Sequence, residues 1–268
     1  MADATFALSA LYFYPVKSLR GLRLERAPVD ERGIHYDRHW LVVDGDGRFI
    51  TQRQQPRMAL VRTALTPAGL RLSAPGMPDL EVDFVSADPR PLSVEIWRDH
   101  CLAHSAGDPA AAWLSRFLGL ECRLCYLPEA SRRGVDPEYA EAQDQVGFAD
   151  GFPFLLISQA SLEDLNSRLP APLPMTRFRP NLVISGCEPY AEDRWKRIRI
   201  GGITFRVAKP CSRCVIPTID PETGQKSSEP LRTLNSYRRQ GNQVMFGQNL
   251  LHDAIGELRV GTPVEVLE

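Results

Sequence analysis

The chain has 268 residues, 43% of them hydrophobic and 24% charged, with a formal net charge of -1. That balance is the one ordinary globular proteins have, and it argues against a polybasic nucleic-acid binder or a membrane-surface protein. No apolar run reaches the roughly 18 residues a spanning helix needs, and the N-terminus has no basic segment and carries Asp3, so it makes a poor signal peptide. The expectation is therefore a cytoplasmic protein whose six cysteines are reduced thiols rather than a disulfide framework.

In chain order, residues 8–16 form an aromatic-rich strand candidate. Trp40–Val43 and residues 48–51 flank Asp44-Gly45-Asp46-Gly47, which predicts a hairpin. The same tetrapeptide fails as a calcium loop, because the register that places Asp44 and Asp46 puts Val42 and Arg53 at ligand positions. Leu80, Val82 and Phe84, then Leu92, Val94 and Ile96, alternate with other residues as strands do. Asp108-Pro109 opens a helix over 110–118, since proline suits a first turn. Residues 121–126 read as a strand in which Cys122 and Cys125 are small packed residues. The polar stretch 128–145, with Arg132-Arg133-Gly134, is the candidate linker or surface loop.

Residues 158–169 place Leu162, Leu165 and Leu169 on one helical face. Arg197–Ile200, Gly201-Gly202 and residues 203–207 form the clearest hairpin, because two-residue turns need positive φ and glycine supplies it. A helix is expected over 228–240, and a last strand over 264–267. Many short strands with few helices predict a mainly β, α+β protein built from barrel-like β domains with added helices.

Chemistry concentrates in Ala208-Lys209-Pro210-Cys211-Ser212-Arg213-Cys214. The Cys-x-x-Cys spacing serves a zinc half-site, a redox dithiol, or one metal-binding thiolate with a bystander, and the adjacent Arg213 favours the thiolate. A four-thiolate zinc site with Cys122 and Cys125 is disfavoured, because that pair reads as strand without a glycine-bearing knuckle. Taken alone, Lys17-Ser18 reads as solvated charge at a loop start, Arg38 as a surface ion pair and Arg177-Phe178-Arg179-Pro180-Asn181 as surface, although two arginines around an aromatic, followed by an amide, also suit a phosphate or a heterocycle edge. The five histidines show no zinc-binding spacing and read as structural, and no Gly-x-Gly-x-x-Gly or Walker sequence is present.

Taken together, five ordered blocks resemble the MOSC family, named for the C-terminal domain of molybdenum cofactor sulfurase, and are most similar to its YcbX-like and mitochondrial amidoxime-reducing members. The blocks are Tyr14-Pro15-Val16-Lys17-Ser18; Tyr36-Asp37-Arg38-His39-Trp40 with Thr51-Gln52-Arg53-Gln54; residues 178–187; Cys211-Ser212-Arg213-Cys214 with Asp220-Pro221-Glu222-Thr223-Gly224; and Phe246-Gly247-Gln248-Asn249. The resemblance implies a MOSC N-terminal β-barrel domain over 1–125 and a MOSC domain over 126–268. It also implies a molybdenum–molybdopterin cofactor whose metal takes Cys214 as its thiolate ligand and catalytic residue. Lys17, Ser18, Arg38, Arg179, Asn181, Ser212 and Arg213 match positions that hold the pterin and its phosphate. Asp150, Gly151 and Phe152 match a cofactor-contacting loop, with backbone contact only at Gly151 and Phe152, and Asn249 matches a further contact. Pyridoxal phosphate binding attaches to the family by description alone.

The implied activity is reduction of small N-hydroxylated compounds (hydroxylamines, amidoximes, N-hydroxylated bases) to amines. The alternative is a cofactor carrier, or a sulfur-transfer protein that uses a Cys214 persulfide. No Cys-x4-Cys-x2-Cys run follows these blocks, so electrons are expected from an external protein, a flavoprotein reductase with a ferredoxin or cytochrome.

Overall fold

The computed structural model describes residues 6–87 and 89–268. The fold is mainly β, with three α-helices among the described residues, Asp108–Leu118, Gln159–Arg168 and Leu231–Tyr237. The largest sheet runs in the order Val264–Val266, Arg197–Ile200, Ile203–Ser212, Gln243–His252, Phe154–Ser158, Leu182–Ser185, Ala7–Phe13 and Leu22–Leu24. All these neighbours pair antiparallel except Phe154–Ser158 with Leu182–Ser185. A parallel pair needs a crossover, and the helix Gln159–Arg168 supplies it. Ser158 caps that helix by accepting the Ser161 N–H.

The first strand of the chain thus lies inside a sheet made mostly by the last third. A second tie joins Arg26–Asp30 to Gly256–Arg259. Residues between these ties build two smaller sheets: Trp40–Val43, Arg123–Tyr126, Asp99–Ser105 and Pro91–Ile96, and then Arg62–Leu65, Gly69–Ser73 and Leu80–Asp83. Trp40, Val42, Leu70, Leu72, Leu114, Phe117 and Leu124 close one core between these sheets and the helix Asp108–Leu118. Leu8, Leu11, Phe13, Phe154, Ile198 and Phe205 close another on the large sheet.

Several local expectations change in place. The first strand ends at Phe13, because Pro15 lacks an N–H for a ladder. Residues 48–51 pair only through isolated bridges, Phe49 with Val43 and Arg48 with Glu95, although Ile50 N–H still donates to Val42 C=O at 2.8 Å. The third helix is shorter than 228–240, because Arg239–Gln240 turns back through Gly241, at φ +58°, to pair with Val244 and Gln243. The stretch 128–145 is not a solvated linker throughout: Arg133 is buried and folded back onto the chain. Cys122 and Cys125 are both buried, and the Cys125 thiol donates to Leu41 C=O at 3.4 Å.

Candidate active site

A cleft with about 750 Å³ of open space, its mouth included, opens where the large sheet meets the smaller ones. The strand Ile203–Ser212 delivers Cys211 and Ser212, and Arg213 and Cys214 follow as it leaves the ladder. Lys17 and Ser18 come from the turn after the first strand, Arg38 from the turn before Trp40–Val43, and Asp150 to Phe152 from the loop before Phe154–Ser158. Arg179 and Asn181 precede Leu182–Ser185, and Asn249 projects from Gln243–His252. Every residue that the sequence implicates in cofactor contact lines this one cleft.

The backbone is unusual here. Six described non-glycine residues have positive φ, and Ser18 (+65°), Arg38 (+48°) and Arg179 (+58°) line the cleft. Such conformations cost on the order of 1 kcal/mol or more each and persist where surrounding structure over-determines them. Gln52 Nε2 fixes the Ser18 carbonyl at 2.7 Å, and Arg38 is tied at both ends, to Tyr14 C=O (2.8 Å) and to the Phe148 N–H (2.6 Å).

Two of the charges, Lys17 and Arg38, are buried, whereas the Asp150 side chain is half exposed. Lys17, with a side chain 6% exposed, donates to Asp150 Oδ1 at 2.5 Å. Arg38 pairs with Asp37 and donates to Asn181 Oδ1 at 2.9 Å and to Arg179 C=O at 3.2 Å. The Arg38 and Arg179 guanidiniums both stack on the Tyr14 ring, 4.3 Å from its centroid. Asn181 spends its amide on Arg38, the Leu155 N–H (3.3 Å) and Tyr12 C=O (3.2 Å), so here it organises the wall. Gly151 faces open space, where an added Cβ meets nothing within 4 Å.

Sequence reasoning missed three contributors. Arg53 donates to Asp150 Oδ2 at 2.9 Å, and its pKa is raised: burial alone would lower it, but the Asp150 carboxylate and the Cys214 side chain more than offset this. Trp97, another positive-φ residue (+57°), stacks on Arg53 at 4.8 Å and donates from Nε1 to Asp150 Oδ1 at 3.2 Å. Arg133 fixes the loop carrying Asp150 by donating to the carbonyls of Gly147 (2.8 Å) and Ala149 (2.6 Å).

The cation beside the thiol also differs from the sequence reading. Arg213 Nη1 meets Cys211 Sγ at 3.2 Å, while Arg53 is the cation beside Cys214. Arg213 lies just past the end of the strand, and its guanidinium turns to Cys211 and not to its sequence neighbour.

Five cationic side chains, Lys17, Arg38, Arg53, Arg179 and Arg213, line the cleft against one carboxylate, Asp150. Burial would raise the Asp150 pKa, but Lys17 and Arg53 overcome it and hold the carboxyl well below its ordinary range. Burial lowers Lys17 to about 8 despite Asp150. Among the described residues no three His, Cys, Asp or Glu side chains gather to hold a metal.

Two family descriptions match the chain in sequence order: the MOSC N-terminal beta barrel domain over residues 5–121 and the MOSC domain over residues 143–265. The chain belongs to the MOSC family. Among MOSC relatives, mitochondrial amidoxime-reducing component 1 of Mus musculus is 38% identical, covering 97% of this chain and 82% of that protein. The Homo sapiens protein of the same name is 36% identical over the same shares of the two chains. Molybdenum cofactor sulfurase of Oryza sativa is 34% identical over 93% of this chain, which corresponds to 33% of that longer protein.

The Lys17 value gives this MOSC chain a specific pH response. Its folded pKa lies below the ordinary lysine value of 10.5. The unfolded chain therefore holds more protons between about pH 8 and 10.5, and stability attributable to this group rises with pH across that window. Anion binding runs the other way, since the cleft loses a positive charge as Lys17 deprotonates. Affinity of the cleft for an anionic ligand is expected to fall above about pH 8 in the wild type. In Lys17→Met it is expected to be weaker and flat through that range, as titration calorimetry from pH 7 to 10 would record. Parallel pH profiles in the two proteins contradict the assignment.

Proposed function

We propose that this MOSC protein is a molybdenum-cofactor-dependent oxidoreductase that reduces small N-hydroxylated compounds to amines. One observation carries the reading: five cations from separate parts of the chain converge with the Cys214 side chain in a single cleft. A soft metal chelate with an anionic phosphate tail needs a thiolate at one end and charge-assisted donors at the other. The residues fit that group in a further respect, because Arg53 Nη1 and Arg213 Nε are buried donors without a hydrogen-bond partner in the protein. Buried donors are nearly always satisfied, and an anionic ligand would use them.

In this reading Cys214 holds the metal, and Lys17, Arg38, Arg179 and Arg213 hold the pterin and its phosphate, with Ser18, Ser212 and Asn249 as polar contacts. The Asp150-Gly151-Phe152 loop presents backbone to the ligand, and Asp150 keeps Lys17 and Arg53 in position. Bound there, the cofactor supplies the two-electron chemistry: the N–O bond breaks, and two electrons with two protons give amine and water. The electrons come from an external electron-transfer protein, a flavoprotein reductase with a ferredoxin or cytochrome. The amidoxime reduction named for the mammalian relatives and the cofactor named for the rice relative support this assignment.

The test is anaerobic purification, quantification of molybdenum and pterin, and turnover of benzamidoxime with an artificial electron donor. Near-stoichiometric metal with turnover is expected. Stoichiometric cofactor without turnover, or a persulfide on Cys214, identifies a carrier or sulfur-transfer protein instead.

A further inference from the structure

A second cavity lies behind the cleft, on the far side of Tyr14 and Arg179, with about 680 Å³ of open space including its mouth. Arg20, Arg23, Arg177 and Arg179 line it, and no carboxylate does. Arg177 is the decisive residue. It is 94% buried (6% exposed), yet its Nε and Nη1 have no hydrogen-bond partner. Asp220 forms an ion pair with it, Oδ2 standing 3.8 Å from Nη1, a separation too long for a hydrogen bond. Asp220 is already engaged, since its Oδ1 accepts the Glu222 and Thr223 N–H groups at 2.8 and 3.1 Å. The Tyr14 hydroxyl, in the same wall, is also buried and unpartnered. At the mouth, Arg20 is paired with Glu222, so that two of the four cations have an acid beside them and Arg23 and Arg179 do not.

Three orphan donors on two buried side chains, in a cavity whose lining carries four arginines and no carboxylate, are a poor arrangement for an empty interior. A buried donor left unsatisfied has lost its water without gaining a partner. We propose that this cavity is a second anion site, built for a small tetrahedral oxyanion of the phosphate or sulfate class, with Arg177 and the Tyr14 hydroxyl as its donors. The site is separate from the cofactor cleft and does not depend on the proposed reaction. It shares Arg179 and Ile216 with the cleft wall, so its occupant sits one residue layer from the cleft.

The test uses the protein as purified, with inorganic phosphate as the probe in equilibrium dialysis and in thermal melts. The wild type is expected to bind phosphate saturably and to melt higher with it. Arg177→Met is expected to weaken that binding about 10-fold or more, the size of a lost charge-assisted hydrogen bond. Tyr14→Phe, which keeps the ring that Arg38 and Arg179 stack on, is expected to weaken it about 5-fold. The phenylalanine variant carries the test if the methionine one fails to fold. Absence of saturable phosphate binding in the wild type overturns the proposal, as does wild-type affinity in the folded variants. Neither result bears on the benzamidoxime assay, so the two readings fail separately.

Discussion

Cys214→Ala is expected to remove bound molybdenum and to lower N-hydroxylated-compound reduction at least about 100-fold, beyond the 10–100-fold typical of losing an outer-shell partner of a metal ligand. The side chain is partly exposed and lines the cleft rather than a core, so the substitution should leave the fold intact. Cys211→Ala is the matched control. Its sulfur lies beside Arg213 Nη1, so its loss disturbs one cation of the cleft and leaves the thiolate position filled. The two variants are therefore expected to separate, with metal lost in the first and largely kept in the second. Metal analysis paired with circular dichroism decides the matter, and a Cys214→Ala protein with full metal content and wild-type turnover removes the thiolate from the mechanism.

Arg133→Met is expected to be the most damaging change outside the cleft wall. Its buried guanidinium donates to Asp99 Oδ2 at 2.8 Å, to the carbonyls of Gly147 and Ala149, and to Asp150 C=O at 3.4 Å. Methionine fills much of the volume but satisfies none of these acceptors. The expected loss is about 3 kcal/mol, the range for breaking a buried charged network by removing one partner. For a chain of this size that corresponds to a fall in Tm of roughly 6–12 °C. Because the same loop carries Asp150, cofactor retention should fall alongside stability. A melting point within about 2 °C of wild type would show that the four acceptors find water instead.

Much of this was legible in the chain because it is local. The Gly201-Gly202 hairpin formed as read, since the turn residues and the alternating isoleucines on either side agree. The ordered MOSC blocks located the cleft residues for the same reason: each is a short run on or beside a strand. Partnership was not legible. Arg133 sits in a polar stretch that looks solvated, yet its acceptors are supplied by a loop that only folding brings to it. Arg53 stands within a quoted block but takes meaning only from Asp150, 97 positions on. Trp97 ends an alternating strand and reads as its tip, and nothing in the local pattern aims an indole N–H at Asp150, 53 positions away. Lys17 alone reads as a solvated lysine and Arg38 as a surface ion pair, because the sequence does not show which charges a fold will desolvate. Arg213 misled in the opposite sense, since adjacency in sequence suggested a contact that the folded chain gives to the other thiol.

The placement of Ala7–Phe13 between Leu182–Ser185 and Leu22–Leu24 makes the two family segments one folding unit. A fragment starting near residue 126 would expose the backbone of Leu182–Ser185 as a bare sheet edge and uncover the apolar surface that Leu8, Leu11 and Phe13 protect. Such an edge recruits other chains. Cutting this protein at the segment junction should therefore yield aggregates rather than a smaller functional piece, and the cleft could not be rebuilt by mixing halves that had each refolded alone.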